Sequence, residues 1–581
     1  MKITRSRFAR ATAPLLAAWL LASCVATLED EAPLVLTIVG SNDVHGQLLP
    51  GDGRGGLAAF SGYVEALRAT QDEVLLIDSG DMWQGTFESN INEGATVTEA
   101  FNAMGVVAAA VGNHEFDFGP VGEPSIPEGP EDDARGALKA RAIEMNFPLL
   151  AANLLNADTG EMVDWDNLSA SIIVEAGGIQ VGIIGVTTEY ALVTTIAANV
   201  RGLEVAPMAA SIESEARALR AAGADLIIVA AHAGGRCTEF DDPLDTSSCN
   251  LNGEILRAAE ALPPGLVDHI IGGHIDDGIA HVVNGIAVTL SYSRTRAFSR
   301  VDFLIDRKSG EIVDRIVYPP QPVCPAWEIA DDTCVWVNDD GRETRPAIYE
   351  GQVIVPDPDV VEIVARADRA ARDIKAESLD ASLDIPLTLQ GNPESLLGNL
   401  FTDAVLASFD GDIAVHNVTG GIRAILPAGD ITFGEIYEVM PFDNRVVILE
   451  LTGAELRQIV ANQLPRGWRK AGFSGLRIDA RCEDDVLEID LELADGRSVS
   501  DDDVMRVITT DFLALGGDRI LSPAMPDGGF EFDSSLPLLR DSLVEFLRGK
   551  GDIEGESFST AANPKWNVPA EVPAGCALPV G

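Results

Sequence analysis

Five short apolar runs each lead into a residue of the kind that binds metal, and that repetition constrains the fold more than any other feature. Residues 34–39 lead into Asp43-Val44-His45, and residues 74–77 into Asp78-Ser79-Gly80-Asp81. Residues 106–111 lead into Gly112-Asn113-His114-Glu115, residues 226–230 into His232, and residues 269–271 into Gly272-Gly273-His274-Ile275-Asp276. Apolar stretches of strand length without alternation read as parallel strands buried on both faces. In open α/β sheets, ligands bind just beyond the carboxyl ends of such strands. The chain has seven histidines, and His45, His114, His232 and His274 all fall at these ends.

At 581 residues the chain exceeds what one core supports and points to two or three domains. Its 41 basic and 91 acidic residues give a net charge of −50. That excess argues against a nucleic-acid partner, which needs a basic face, and reads as a solvated acidic surface. An anionic small molecule entering this field needs a locally cationic site, made by metals or arginines.

The amino terminus reads as a targeting segment, residues 1–24. Lys2, Arg5, Arg7 and Arg10 precede an apolar stretch, 11–23, shorter than the roughly 20 residues that span a bilayer. It closes on Leu21-Ala22-Ser23-Cys24, which resembles the cleavage box of bacterial lipoproteins. The resemblance implies export and lipid anchoring at Cys24, on the periplasmic side or cell surface, with no other membrane contact. A plain secretory signal or an uncleaved anchor is the alternative. Setting Cys24 aside leaves six cysteines, an even number suited to an oxidising compartment, and six permit 15 pairings. The local loops favour Cys237–Cys249 and Cys324–Cys334, which leaves Cys482–Cys576.

Strand-like and helix-like segments alternate over residues 33–316, which indicates a layered α/β domain. Residues 317–379 read as a proline-rich linker ending in a charged connector helix without a wide apolar face. A second α/β pattern fills 380–560, and a Pro/Ala-rich tail follows at 561–581.

Hydrolysis of a phosphate ester at neutral pH needs a nucleophile and neutralisation of the transferring group. Two divalent ions about 4 Å apart supply both, with a bridging water deprotonated between them to attack phosphorus. Such a pair needs one bridging carboxylate flanked by O and N ligands. Asp81 suits the bridge, Asp43 and His45 one ion, and Asn113, His232 and His274 the other. Asp276, two residues beyond His274, shares a face with it if the segment is extended, and would complete the first ion's shell. His114 with Asp117 three residues on forms a candidate His–Asp dyad that stabilises the departing group or protonates it. Each motif alone is also what a turn or a satisfied core histidine looks like; the combination at five strand ends is what is specific.

Asn42-Asp43-Val44-His45-Gly46, Gly80-Asp81, Gly112-Asn113-His114-Glu115-Phe116-Asp117, Ala151-Ala152-Asn153 and Gly273-His274 resemble the calcineurin-like metallophosphoesterase domain. Together with Gly398-Asn399-Leu400, Gly420-Gly421-Ile422-Arg423, Pro441-Phe442 and Asp511-Phe512 through Gly516-Gly517-Asp518, the chain resembles the bacterial 5′-nucleotidase / UDP-sugar hydrolase family over about residues 33–550. The resemblance implies an amino-terminal metallophosphoesterase β-sandwich flanked by helices, joined by a helical linker to a smaller α/β nucleoside-binding domain. It implies two divalent ions (Zn, Mn, Mg or Co), a nucleotide substrate, and a hinge rotation near 360–377. Phe442 and Phe512 match residues that stack on the base, Asp518 one that contacts the ribose, and Arg423 one that grips phosphate. Three departures stand out. The family commonly has His or Gln where Asp276 sits. Residues 388–393, just ahead of Glu394-Ser395, contain none of its usual arginines. The stretch from Asn417 to Arg423 is one residue longer, so that either the loop bulges and keeps Asn417 or Thr419 takes its place. The rival readings are a thiosulfate-ester hydrolase or broad phosphodiesterase of the same superfamily, and a non-catalytic surface binding protein.

Overall fold

In the computed structural model the apolar runs become the buried strands of two sheets that pack face to face. The structure describes residues 32–576 apart from 52, 123–124, 330–332, 337–342, 390–393, 465–470, 484–485, 527–528, 533–534, 559–564 and 569–575. Cys24, the rest of the targeting segment, and residues 390–393 lie outside the described residues.

In the first sheet Leu34–Ser41 runs parallel to Glu73–Asp78, which runs parallel to Val106–Ala110, while Ala297–Ile305 flanks it antiparallel. In the second, Leu226–His232 runs parallel to Ile179–Thr187 and His269–Ile271, with Ile286–Ser291 parallel beyond. Their facing sides meet through Leu36, Ile38, Ile77 and Ala110 on one sheet and Ile183, Ile228, Ala230 and Ile271 on the other. Strands with both faces covered need no polar alternation, which is why the runs read as continuous. Outside, Gly56–Arg68 and Ala95–Met104 cover the first sheet, and Met208–Ala221 and Glu254–Ala261 the second. This is a β-sandwich flanked by helices.

The connector, Pro358–Lys375, starts on an Asp357 side chain that accepts from two backbone amides. It is not a free-standing rod. Val360, Ile363, Val364 and Ala367 form a narrow stripe at helical spacing, buried against the amino-terminal domain. At its far end Lys375 reaches Glu88 of that domain at 2.9 Å and Glu438 of the next at 3.3 Å.

The second α/β unit is built on a sheet ordered Val446–Thr452, Val504–Thr510, Ile413–His416, Gly472–Ser474. Leu396–Ser408 and Leu539–Leu547 cover one side, and Gly453–Gln463 with the hairpin Leu476–Glu483 and Val486–Leu493 the other. Thr432 and Thr452 each open a helix with a capping box, using Glu435 and Glu455. The tail packs onto this unit. Trp566–Asn567 pairs in parallel with the Leu476–Glu483 strand, and buried Lys565 reaches Asp403 and Ser474, both at 2.7 Å. The disulfides are Cys237–Cys249, Cys324–Cys334 and Cys482–Cys576. No helix among the described residues is long and apolar enough to cross a membrane.

Candidate metal centre and its cleft

The five strand ends converge. Asp43, His45 and Asp81 offer ligand atoms that all lie within 4.8 Å of one another, and so do Asp81, His232 and His274. Asp81 is common to both groups. Asn113 Oδ1 lies 3.0 Å from His232 Nε2 and 3.0 Å from His274 Nδ1. A third cluster, Cys237, Cys249 and His281, is no thiolate site, because its cysteines are disulfide-bonded.

The backbone is bent to make this convergence. Asp43, His45, Asp81 and His274 all have positive φ, between 48° and 74°. Side-chain-bearing residues pay about 1–3 kcal/mol each for such conformations, which persist only where the surroundings enforce them. Here the amides of Asp43 and His45 donate to the carbonyls of Gly80 and Asp81, locking two strand ends together. Gly80, at φ 92°, allows the close approach: a Cβ there would sit 2.7 Å from the Gly112 nitrogen.

The surroundings also orient each ring. Nδ1–H of His232 donates to the Ser79 carbonyl at 2.8 Å, leaving Nε2 toward Asp81 at 3.2 Å. Nδ1–H of His45 donates to the Gln84 carbonyl at 2.9 Å, leaving Nε2 3.9 Å from both Asp43 and Asp81. Such outer contacts fix the tautomer a metal-binding imidazole needs. Buried Glu115 accepts from the amides of Asp81, Met82 and Gly112 at 2.7–2.9 Å and so holds the Asp81 loop. The carbonyls of Ser79 and Gln84 carry no signal in side-chain pattern, so sequence reading misses them. Glu115 was visible as part of the Asn113-His114-Glu115 motif but not as a support.

Charge in the cluster asks for a cation. Burial, opposed by His232 and reinforced by Asp81, lifts the Asp43 carboxyl to about 7. Burial also works against a charged His232, yet Asp81, Asp43 and Glu115 overcome it and hold the ring up at about 10. His45 is kept well below its ordinary value, first by burial and then by Arg423. His274 falls to about 3 through burial and the charge of His232. His45 and His274 are neutral, and His232 becomes so when a cation displaces its proton; neutral imidazoles with buried carboxylates are the donor set that a divalent cation stabilises, so the residues fit the metals.

Asp276 does not join them. Its half-exposed carboxylate accepts from Ser293 at 3.1 Å and faces Arg296 at 3.3 Å. The expectation assumed an extended segment, but His274 has φ 74° and the chain turns, so alternate residues no longer share a face.

His114 Nδ1 lies 2.5 Å from Asp117, whose other oxygen accepts from Thr195 at 2.8 Å. Burial disfavours the charged ring, but Asp117 and Asp81 outweigh it and raise His114 above its ordinary value. This side chain opens into a cavity that both domains line. His45, Asp81, Asn113, His114 and His274 form one wall; Asn417, Arg423, Phe442, Phe512 and Asp518 form the other. Asn417 is retained and Thr419 is exposed: Asn417 donates to Asp518 at 2.8 Å, and the extra residue bulges at Gly420, φ 91°. Arg423 approaches His45 Nε2 at 3.3 Å, and Phe442 stacks on the His114 ring at 5.8 Å between centroids. Across the cleft, Gln84 and Asn90 donate to the Pro441 carbonyl at 3.3 and 3.2 Å.

Comparison with known proteins agrees with this arrangement. Residues 36–276 match the family described as calcineurin-like phosphoesterase, and residues 376–525 match the 5′-nucleotidase C-terminal domain. The chain is 25% identical to protein UshA of Yersinia enterocolitica over 521 residues, covering 84% of this chain and 87% of that one. It is 26% identical over 500 residues to endonuclease YhcR of Bacillus subtilis, covering 82% of this chain but only 37% of that protein's length. A solved 5′-nucleotidase precursor from Thermus thermophilus shares the fold at a TM-score of 0.69 and 22% identity, covering 90% of this chain and 97% of that one. The chain therefore belongs to the family that joins a calcineurin-like phosphoesterase domain to a 5′-nucleotidase C-terminal domain, a family of metal-dependent phosphoester hydrolases.

Proposed function

We propose that this protein is an exported hydrolase of nucleotide phosphate esters, working with two divalent ions that share Asp81. The observation that carries the reading is the single cavity whose one wall is the ligand cluster and whose other wall offers two phenylalanines, an arginine and an Asn417–Asp518 pair. Phe442 and Phe512 give a planar base apolar faces, Asp518 can accept from a ribose hydroxyl, and Arg423 can grip phosphate oxygens. When bound, the divalent ions activate water near neutral pH and neutralise charge on the phosphoryl group. His114, charged through Asp117, stabilises the departing phosphoryl or gives its proton to the leaving oxygen. The disulfides and the basic-then-apolar amino terminus support a location outside the cytoplasm, with Cys24 as lipid anchor. The acidic surface disfavours a polyanionic nucleic acid as substrate.

The test is hydrolysis of AMP, UDP-glucose and 2′,3′-cyclic nucleotides after adding Mn²⁺, Zn²⁺ or Mg²⁺ to chelator-stripped protein. His114→Ala is expected to lower turnover by about 10²–10⁴-fold while metal content stays at the wild-type level. Full turnover in that variant would remove His114 from the mechanism.

A further inference from the structure

A second cavity of about 740 Å³, formed by both domains, shares Arg423 and no other lining residue with the first. Arg54, Arg294 and Arg423 line it together with Lys375, Glu88, Glu435 and Glu438. The acids have partners of their own. Glu88 and Glu438 face Lys375 at 2.9 and 3.3 Å, and Glu435 caps its own helix by accepting from the Thr432 amide at 2.8 Å. Among the described residues, no carboxylate lies within ion-pair distance of the Arg294 guanidinium. Asp276 and Glu438 act on it only at longer range, and Glu438 is shared with Lys375.

Arg294 is also held in place. Its amide donates to the carbonyl of Asp43 at 2.7 Å, and Tyr292, Arg294 and Thr295 all have positive φ. The Thr295 hydroxyl accepts from the Gly56 amide at 2.8 Å, pinning the turn to the helix behind it. Arg54 and Arg423 line the same cavity as Arg294, so the three guanidiniums lie within each other's field. Like charges gathered around a void are stabilised by an anion between them.

Building on the nucleotide reading above, we infer that Arg294, with Arg423, forms a subsite for a second phosphoryl group, beyond the one held at the metal cluster. Arg423 lines both cavities, so one substrate can place its nucleoside against Phe442, its nearer phosphorus beside Asp81, and a further phosphoryl against Arg294. In hydrolysis of such a diphosphate, water's oxygen bonds to the nearer phosphorus, its proton passes to solvent, and the bridging P–O bond breaks. The departing phosphate keeps the bridging oxygen and its electron pair, and Arg294 faces the added charge. Arg294 thereby supplies, from the amino-terminal domain, a cation that residues 388–393 do not contain.

The experiment compares wild type with Arg294→Gln and Arg294→Lys on AMP, ADP and UDP-glucose, and measures binding of inorganic diphosphate to the chelator-stripped proteins by calorimetry. The Gln variant is expected to lose at least tenfold in kcat/KM on ADP and UDP-glucose, mostly through KM, and less than threefold on AMP. It is also expected to bind diphosphate at least tenfold more weakly, with the Lys variant in between. Equal losses on AMP and ADP, or unchanged diphosphate binding, would overturn the subsite. Should the wild type hydrolyse none of the nucleotides, the functional reading fails, and the diphosphate measurement still decides whether Arg294 binds a phosphoryl group.

Discussion

Asp276 and Asp43 are both carboxylates next to a strand end, and their different fates show what decides a ligand. Asp43 sits in a turn locked to Gly80, with its oxygens 2.8 and 3.0 Å from the His274 amide. Asp276 follows a left-handed residue and is carried out to Ser293 and Arg296. Residue type and proximity in sequence were legible; the turn that redirects the side chain was not, because a φ of 74° at a histidine leaves no compositional trace. Asp276→Ala is accordingly expected to change metal affinity less than threefold, measured by titrating chelator-stripped protein. A loss of tenfold or more, the scale seen when even an outer-shell partner is removed, would make Asp276 a ligand after all.

At the scale of elements, the parallel strands were the clearest signal, since burial on both faces writes itself as an unbroken apolar run. The connector was harder, because the stripe Val360, Ile363, Val364, Ala367 is narrow and polar residues surround it. The pairing of Trp566–Asn567 with a strand nearly 90 residues away could not be seen locally at all. The strand Ile413–His416 carries a test of burial. His416 stacks on Phe401 at 5.5 Å, and neither ring nitrogen has a hydrogen-bond partner among the described residues. Burial pulls its pKa from 6.5 to about 4. The unfolded chain therefore takes up a proton that the fold refuses, and stability is lost as pH falls from about 6.5 toward 4. The loss attributable to His416 is about 3 kcal/mol. His416→Phe should keep the stacking and flatten this part of the acid limb in denaturant titrations; an unchanged acid limb would show that the ring is not held neutral.

At the scale of the whole molecule, two domains meet across one cleft, and each is expected to answer to its own perturbations. The Cys482–Cys576 disulfide closes a segment of 94 residues and ties the tail to the second domain only. Replacing both cysteines by serine should lower the stability of the carboxy-terminal domain by about 2–5 kcal/mol. In calorimetry the transition of that domain should move while that of the amino-terminal domain stays. A joint shift of both would mean that the domains unfold as one unit. The division into a phosphoesterase domain and a 5′-nucleotidase C-terminal domain was legible from motifs confined to each half. The arginine-lined cavity was not, because Arg54, Arg294 and Arg423 lie far apart in sequence and Arg423 comes from the other domain.

The proposed function requires Asp81 to serve two cations at once, and metal stoichiometry tests that most directly. Chelator-stripped wild type and Asp81→Asn, each reloaded with Mn²⁺ or Zn²⁺ and freed of excess, should be assayed for bound metal per chain by mass spectrometry. Wild type should hold two ions, and Asp81→Asn no more than one, with nucleotide hydrolysis falling at least a thousandfold. Two ions retained in Asp81→Asn, or fewer than two in wild type, would contradict the shared centre.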